Sequence, residues 1–286
     1  MNASAADNTI AYQGLPGAYS HMACQHRFPG MEAMPNPSFE NMLAAVSEGR
    51  ARYAMVPVEN SVAGRVADIH HLLPSSGLYI TGEHFQRVNH HLLGVKGASL
   101  KSLREVHSHA QGLAQCRETL NRLGLTPIMH PDTAGAARDI AERGDPAVGA
   151  IASRLAAETY GLDILEENAE DMDHNTTRML IMAREAEMPP VDNGPVITTM
   201  IFSLRSVPAA LYKALGGFAT NGINLTKLES YMVGGHFSAA QFYIDAEVHQ
   251  NSEAFRYAIE ELEFFTTPGS IRILGTYPAD PAQRKG

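Results

Sequence analysis

The chain has 286 residues, a formal net charge of −9, 44% hydrophobic residues and 19% charged residues. This length allows about two domains with separate cores, and the composition is that of a globular chain, so a miniprotein and a disordered chain are both excluded. No apolar run of membrane-spanning length occurs, and the acidic balance argues against a nucleic acid or an anionic membrane as the main partner.

Short strand-like runs alternate with helical patterns over the first 184 residues, which is typical of an α/β fold with a largely parallel sheet. Ser38 is the predicted N-cap of a helix that Gly49 ends. Strands are predicted at 9–13, 53–58, 79–82, 90–95, 105–108, 126–130 and 147–152, and helices from about residue 19 and at 38–48, 111–123, 133–142 and 153–160.

A stretch rich in proline and polar residues, 185–195, has the character of a linker between domains. Beyond it the pattern is strand 197–204, helix 208–221, strands 224–232 and 237–246, helix 252–264 and strand 271–276. This βαββαβ order predicts a ferredoxin-like plait. The predicted domains are therefore 8–185 and 196–278, joined by a linker at 186–195.

Three turns carry clustered polar residues. Gln13-Gly-Leu-Pro-Gly-Ala-Tyr-Ser20 joins a strand to a helix, so its free amides and the Ser20 hydroxyl suit a carboxylate or phosphate, although an ordinary turn fits equally well. Val56-Pro-Val-Glu-Asn-Ser61 places polar groups where open α/β sheets bind ligands, or else caps a helix. Ser108-His109-Ala-Gln111 repeats this arrangement, which predicts two lobes facing one cleft.

The run Asn175-Thr-Thr-Arg178 combines an amide, two hydroxyls and a fixed cation. These groups suit a small substrate that carries carboxylates, and the alternative is a polar strand start with a surface salt bridge.

Other site classes lack their sequence signals. The histidine pairs His70-His71 and His90-His91 would point to opposite faces of a strand, and no zinc-ligand spacing or GxSxG motif occurs. Cys24 and Cys116 are too few for a disulfide framework, and the first residues do not read as a secretory signal. The expected location is the cytoplasm, with no metal.

Five ordered motifs resemble those of the prephenate dehydratase family. They are Tyr12-Gln-Gly-Leu-Pro-Gly-Ala-Tyr-Ser20, Val56-Pro-Val-Glu-Asn-Ser-Val-Ala-Gly64, Ser108-His-Ala-Gln-Gly-Leu-Ala-Gln-Cys116, Gly149-Ala-Ile-Ala-Ser153 and Asn175-Thr-Thr-Arg178. The run from Ala210 to Ser230 resembles the ACT regulatory domain that usually accompanies this enzyme.

The resemblance implies a catalytic unit of two α/β lobes, similar to periplasmic binding proteins, with the active site in the cleft and an ACT domain that binds phenylalanine. It implies conversion of prephenate to phenylpyruvate in phenylalanine biosynthesis, without a cofactor, in a homodimer or homotetramer. Since the first strand begins near residue 9, a fused chorismate mutase domain is not expected, and the enzyme should be monofunctional.

Residue roles follow from the same resemblance. Thr177 would hydrogen-bond or protonate the leaving hydroxyl, and Arg178 would hold a carboxylate. The residues implied to bind substrate are Ser20, Asn60, Ser61, Gly64, Ser108, His109, Gln111, Ser153 and Thr176. The residues implied to bind the effector are Leu211, Gly222, Ile223, Asn224, Leu225, Glu229 and Ser230.

Two positions depart from the family pattern: Met179 stands where phenylalanine is usual, and Tyr231-Met232 replaces an Arg-Pro pair near the effector site. Two alternatives stay open, an arogenate dehydratase, whose substrate has an amino group in place of the keto oxygen, and a noncatalytic amino-acid sensor. The intact Thr177-Arg178 pair argues against the sensor.

Overall fold

A computed structural model describes residues 5–192, 194–233 and 236–284, so Asn193 of the predicted linker lies outside the described residues. By its contacts the chain divides into two compact units. The first contains the described residues up to Leu72 together with His84–Met179, and the second contains Leu73–Glu83 and the described residues from Leu180 onward. The domain limits 8–185 and 196–278 stay a sequence prediction.

The strands are β1 (Thr9–Gln13), β2 (Glu32–Asn36), β3 (Tyr53–Asn60), β4 (Gly64–Arg65), β5 (Tyr79–Arg87), β6 (His91–Gly94), β7 (Glu105–Ser108), β8 (Thr126–Met129), β9 (Val148–Ala152), β10 (Asp163–Glu166), β11 (Thr176–Ala183), β12 (Val196–Ser203), β13 (Leu225–Val233), β14 (His236–Ala246) and β15 (Arg272–Pro278). The α-helices are α1 (Tyr19–Arg27), α2 (Phe39–Ser47), α3 (Ala67–Leu72), α4 (Ala110–Gln115), α5 (Arg117–Leu123), α6 (Thr133–Arg143), α7 (Arg154–Tyr160), α8 (Ala210–Thr220) and α9 (Glu253–Glu263). Among the described helices, none has the length and apolar character needed to cross a membrane.

The first lobe is built on a sheet in the order β2-β1-β3-β11-β5, with β4 attached to β3. β1 pairs in parallel with both β2 and β3, as predicted from the alternation of strands and helices. The buried runs of β1 and β3, which include Ile10, Tyr12 and Met55, fit a parallel sheet whose two faces are both covered. β5 and β11 each contribute residues to both units.

The second lobe is a sheet in the order β10-β6-β9-β7-β8 with helices on both faces. Because neighbouring strand residues point to opposite faces, Leu93 packs into the core beside α6 and α7, whereas Leu92 packs into the core beside α4 and α5. Asp132 and Ser153 cap α6 and α7 by accepting hydrogen bonds from backbone amides.

Two connections, 88–90 and 167–175, join the lobes. They are held side by side, because the amide of Val88 donates to the carbonyl of Asn175 at 2.9 Å and the amide of Ala169 donates to the carbonyl of His90 at 2.7 Å. Residues 88–90 and 175 therefore have a fixed backbone at the base of both lobes.

The second unit confirms the predicted βαββαβ order, since β12, α8, β13, β14, α9 and β15 follow one another. Its antiparallel sheet has the order β13-β14-β12-β15 and covers a core that includes Phe202, Phe218 and Phe255. A Cβ at Gly217 would lie 2.9 Å from the Cβ of Glu261, so the glycine lets α8 approach α9 closely.

Three features differ from the predicted elements. The helix predicted at 111–123 is two helices, because Cys116 has φ −119° and ψ 25° and interrupts the helical backbone. His70-His71 lies in α3 rather than in a strand. The short elements β2, β4 and β10 were not predicted, since none has an alternating pattern long enough to signal a strand.

Candidate active site

A cleft of about 500 Å³ in the first unit is lined by residues of both lobes, as the paired turns predicted. Its floor is the two connections and the start of β11. The lining residues are Gln13, Tyr19, Ser20, Pro57, Asn60, Val66, Asp68, Val88, His90, His109, Gln111, Gly112, Gln115, Pro131, Asp132, Thr133, Asn175, Thr177 and Met179.

Asn60, at the end of β3, is the central polar residue that the first lobe contributes to the cleft. Its Oδ1 accepts hydrogen bonds from the backbone amides of Val62 and Ala63, at 3.0 and 2.8 Å. Backbone amides only donate, so these contacts fix which end of the side-chain amide carries the hydrogens. The Nδ2 of Asn60 therefore donates to Asn175 Oδ1 at 2.7 Å and to Thr177 Oγ1 at 3.0 Å.

The Thr177 hydroxyl thus accepts a hydrogen bond and keeps its own proton available. Thr177 is 9% exposed and lines the cleft, and no described residue accepts a hydrogen bond from its hydroxyl. An oxygen that already accepts one hydrogen bond is a better donor through its own O–H, because chained hydrogen bonds polarise one another. Thr177 is placed to donate a proton, or a strong hydrogen bond, to a group in the cleft.

A second polar group crosses the base of the cleft. Tyr19 Oη lies 2.7 Å from His90 Nδ1, and His90 Nε2 lies 2.8 Å from Gln115 Oε1. Burial raises the pKa of Tyr19 well above its usual range and lowers the pKa of His90, so both side chains are neutral near pH 7. Asn175 Nδ2 donates to the same Gln115 Oε1 at 2.9 Å, which connects this group to Asn60.

Two of the predicted substrate-binding residues, Ser108 and Ser153, are not among the described residues that line the cleft. Ser108 is fully buried and donates to the carbonyl of Ile151 at 2.6 Å. Ser153 caps α7 and donates to the carbonyl of Gly17 at 2.5 Å. In each case the hydroxyl proton is taken by a backbone carbonyl.

Ser61 and Gly64 are not among the described residues that line the cleft. Ser61 Oγ donates to the carbonyl of His174 at 2.8 Å and accepts from the amide of Thr176 at 3.0 Å, so it fastens the strand end that carries the active-site run. Gly64 has φ +80° and pairs with Asn60 across a tight β3–β4 turn, and it is not a lining residue.

Thr176 and Arg178 lie on the opposite face of β11 from the cleft. Alternate residues of a strand point to opposite faces, and the lining residues of this strand are Thr177 and Met179. Arg178 is 6% exposed, which makes it a buried cation rather than a surface one. The predicted roles of Arg178 and Thr176 in the cleft are therefore not matched by their positions, whereas Ser20, Asn60, His109, Gln111 and Thr177 are brought together there.

Charge in the cleft is acidic. Among the described lining residues Asp68 and Asp132 are the charged side chains, and neither lysine nor arginine is present. Sequence reasoning missed these carboxylates, and it also missed Tyr19, His90 and Gln115 as site residues. The sequence signals for these residues are weak. Tyr19 and Gln115 lie inside two of the family-like motifs but have no distinctive spacing of their own, and His90 was considered only as a possible metal ligand.

Within the described ranges, no group of three or more histidine, cysteine or acidic side chains is arranged to hold a metal ion. Burial raises the pKa of Cys24 to about 12 and raises that of Cys116 as well, so both thiols stay protonated near pH 7.

The predicted effector turn follows α8 in the second unit. Gly222 has φ +68°, and the amides of Gly222 and Ile223 donate to carbonyls at the end of α8, at 3.2 and 2.9 Å. Ile223 is buried in the core, and Leu225 is half-buried and packs against that core. Asn224 Nδ2 donates to Glu247 Oε2 at 2.7 Å.

The other predicted effector residues lie nearby along the chain. Leu211 is half-buried in α8, Ser230 is exposed on β13, and Glu229 pairs with Lys227 at 3.3 Å. Within this predicted set Gly222, Asn224 and Ser230 are exposed, Leu211, Leu225 and Glu229 are half-buried, and Ile223 is buried.

The family model described as prephenate dehydratase matches residues 10–187, which include every lining residue of the cleft. The chain belongs to the prephenate dehydratase family. It is 50% identical over 280 residues to the bifunctional N-acyl-homoserine lactone acylase/prephenate dehydratase of Komagataeibacter europaeus, covering 98% of this chain and 99% of the relative. It is 41% identical over 285 residues to arogenate dehydratase/prephenate dehydratase 1, chloroplastic, of Arabidopsis thaliana, covering 95% of this chain and 72% of the relative.

A solved structure gives the same fold. The prephenate dehydratase of Arthrobacter aurescens, in complex with L-phenylalanine, is 28% identical and superposes with a TM-score of 0.84 over 94% of this chain and 90% of its own. These similarities confirm the predicted family, its two-lobed fold similar to periplasmic binding proteins, and the predicted class of enzyme, a dehydratase (lyase).

Proposed function

We propose that the protein catalyses the decarboxylating dehydration of prephenate to phenylpyruvate. The ring carboxylate leaves as CO2, the electron pair of the broken C–C bond completes the aromatic ring, and the ring C–O bond breaks as hydroxide accepts a proton and leaves as water. Charge and atoms balance with one proton consumed per turnover, so the enzyme must supply a proton donor at the leaving oxygen.

The hydroxyl of Thr177 is the observation that supports this step. Its oxygen accepts from Asn60 while its proton has no acceptor among the described residues, so it can donate to the departing hydroxide. An unperturbed alcohol is a weak acid, and we assign Thr177 a strong hydrogen bond to the leaving oxygen with the net proton entering from solvent. General acid assistance of this kind contributes about 10²- to 10⁴-fold.

Because neither lysine nor arginine is among the described lining residues, the carboxylates of the substrate must be bound by other hydrogen-bond donors. Ala18, at the N-cap of α1, provides no side-chain cap, so amides at the start of this helix are open to an anion. Ser20 is 8% exposed, lines the cleft and has no hydrogen-bond partner among the described residues. We place one substrate carboxylate against Ser20 and these amides.

The acidic lining favours a second candidate substrate. Arogenate carries an ammonium group in place of the keto oxygen, and Asp68 and Asp132 would attract that ammonium while repelling a dianion. Relatives in Arabidopsis thaliana and Petunia hybrida named for arogenate dehydratase support testing it.

The substrate assay decides between these functions. Purified protein is incubated separately with prephenate and arogenate, and the aromatic product is followed by ultraviolet absorbance and mass spectrometry. Turnover of either substrate supports the lyase proposal, and the two values of kcat/KM rank the substrates. If neither substrate is turned over, the proposal is contradicted. Since one relative is also named for lactone acylase activity, homoserine lactone release from an N-acyl-homoserine lactone is measured in parallel, with Thr177→Ala as the control.

For the second unit we propose an ACT-type regulatory role with phenylalanine as the effector. Its βαββαβ sheet and the phenylalanine complex of the Arthrobacter aurescens relative support this role. Asn224 is exposed beside the Gly222 turn, so Asn224→Ala should weaken binding in a calorimetric titration with phenylalanine. No binding by the wild type at millimolar phenylalanine would contradict the effector, and unchanged binding by the variant would move the site.

A further inference from the structure

The hydrogen bonds beneath the cleft form one chain of five side-chain contacts. In order these contacts are Tyr19 Oη to His90 Nδ1 at 2.7 Å, His90 Nε2 to Gln115 Oε1 at 2.8 Å, Asn175 Nδ2 to Gln115 Oε1 at 2.9 Å, Asn60 Nδ2 to Asn175 Oδ1 at 2.7 Å, and Asn60 Nδ2 to Thr177 Oγ1 at 3.0 Å. The chain takes residues from both lobes and from both connections between them.

Donor and acceptor roles along this chain are determined from one end. Asn60 must present Nδ2, because backbone amides occupy its Oδ1. Asn175 therefore presents Oδ1 to Asn60 and Nδ2 to Gln115. Gln115 Oε1 then accepts from two sides, which requires a proton on His90 Nε2.

The protonation state of His90 determines the remaining donor and acceptor roles in this chain of hydrogen bonds. His90 is 3% exposed and burial lowers its pKa, so the ring is neutral and carries a single N–H. With that proton on Nε2, Nδ1 is an acceptor, and the Tyr19 hydroxyl shares its single proton between Nδ1, at 2.7 Å, and the carbonyl of Asn89, at 2.9 Å. The backbone amide of His90 is also fixed, because it donates to Glu170 Oε2 at 2.8 Å.

We propose that His90 is a positioning residue for the dehydration, acting through Gln115, Asn175 and Asn60 to hold the Thr177 hydroxyl in its donor orientation. Both ring nitrogens of His90 already have protein partners, so neither is left to bind substrate although the ring lines the cleft. The proposal rests on the proposed function of Thr177 in the cleft.

A double-mutant cycle tests whether His90 acts through Thr177. We expect His90→Leu to lower kcat by about 10- to 100-fold with KM within ~twofold, because a misplaced donor costs rate rather than affinity. Tyr19→Phe, which leaves the fold less disturbed, should lower kcat by a smaller factor in the same direction. In a Thr177→Ala background neither substitution should lower the residual kcat further, since the group they position is gone.

The matched control is His91→Leu. His91 is 4% exposed and adjacent in sequence, but its Nδ1 accepts from the amide of Asn168, outside the chain of contacts. It should change kcat by less than ~threefold in both backgrounds, and all variants are compared by circular dichroism and melting temperature. Additive losses in the Thr177→Ala background, or an unchanged kcat in Tyr19→Phe, would overturn the proposal.

A readout independent of turnover separates this proposal from the proposed function. Long-range ¹⁵N NMR of histidine-labelled wild type, assigned with His90→Leu, should show His90 at neutral pH as the Nε2–H tautomer. Tyr19→Phe should shift the Nδ1 resonance by removing its donor. An Nδ1–H tautomer or an imidazolium at pH 7 would overturn the positioning role even in an active enzyme.

Discussion

Asn60 shows how one side chain can set the chemistry of another. Two backbone amides bind its Oδ1, and this leaves its Nδ2 to face Thr177. The Thr177 oxygen therefore accepts one hydrogen bond, while no described residue accepts its proton. Under the proposed function, Asn60 thereby determines which partner the threonine hydroxyl can serve.

Replacing Thr177 with alanine should lower kcat by about 10²- to 10⁴-fold with little change in substrate affinity, because it removes the donor to the leaving oxygen. Thr177→Ser should recover most of the rate, since serine keeps the hydroxyl. Thr176→Ala is the control, as this side chain lies on the other face of β11. Steady-state kinetics measure all three, and near wild-type turnover by Thr177→Ala would exclude Thr177 from the chemistry.

Arg178→Lys should reduce stability rather than substrate binding. The arginine is 6% exposed on the face of β11 away from the cleft, and lysine cannot reproduce its planar set of donors. We expect the free energy of unfolding in urea to fall by about 1 to 3 kcal/mol, with KM within ~twofold.

Arg50→Lys is the matched control, because Arg50 makes an exposed ion pair with Glu48. A raised KM with unchanged stability would return Arg178 to the role of a carboxylate ligand that the family resemblance implied.

At the scale of elements, the turn between β1 and α1 contacts α7 of the other lobe. Gly17 has φ +89°, and a Cβ there would lie 2.7 Å from the Cα of Ala156. The same turn receives hydrogen bonds from Ser153, at 2.5 Å, and from the Tyr160 hydroxyl, which donates to the carbonyl of Pro16 at 2.8 Å. These contacts set the distance between the two walls of the cleft.

Gly17→Ala should therefore lower both stability and turnover. Positive φ and backbone overlap together cost about 1 to 3 kcal/mol, and relief of the overlap moves α7 away from the turn that precedes Ser20. Urea unfolding and kinetics measure the two effects. Gly30→Ala is the control, because a Cβ at Gly30 meets nothing within 4 Å, and equal behaviour of the two variants would contradict this role for the turn.

Sequence patterns predicted the long elements and the clustering of turns, but not the face on which each polar side chain lies. β1 and β7 have the predicted bounds because their hydrophobic runs end at clear polar turns. Ser108 and Ser153 carry the right chemistry at the right turns, yet their hydroxyls bind carbonyls 43 and 136 residues away. Contacts across such separations have no local pattern in the sequence.

At the scale of the whole molecule, buried histidines make stability depend on pH. Burial lowers the pKa of His21, His90 and His91 below the usual 6.5, so the unfolded chain binds more protons than the folded one as the pH falls through about 6.5. Stability is therefore fully present above that pH and decreases below it.

The free energy of unfolding measured in urea should be lower at pH 5.5 than at pH 7.5. The difference should be smaller in His90→Leu, which lacks one of the three groups. A pH dependence identical to that of the wild type would show that His90 is not held neutral by the fold. A homodimer or homotetramer and a cytoplasmic location remain sequence predictions at this scale.

The two connections between the lobes constrain the order in which the protein folds. Residues 91–166 form the second lobe from one continuous segment, whereas the first lobe lacks β11 until residue 183 has been synthesised. β11 lies between β3 and β5, so the amino-terminal lobe is completed after the lobe that follows it in the sequence. Thr177 lies on that last strand, so the segment that completes the first lobe also brings the proposed proton donor into the cleft.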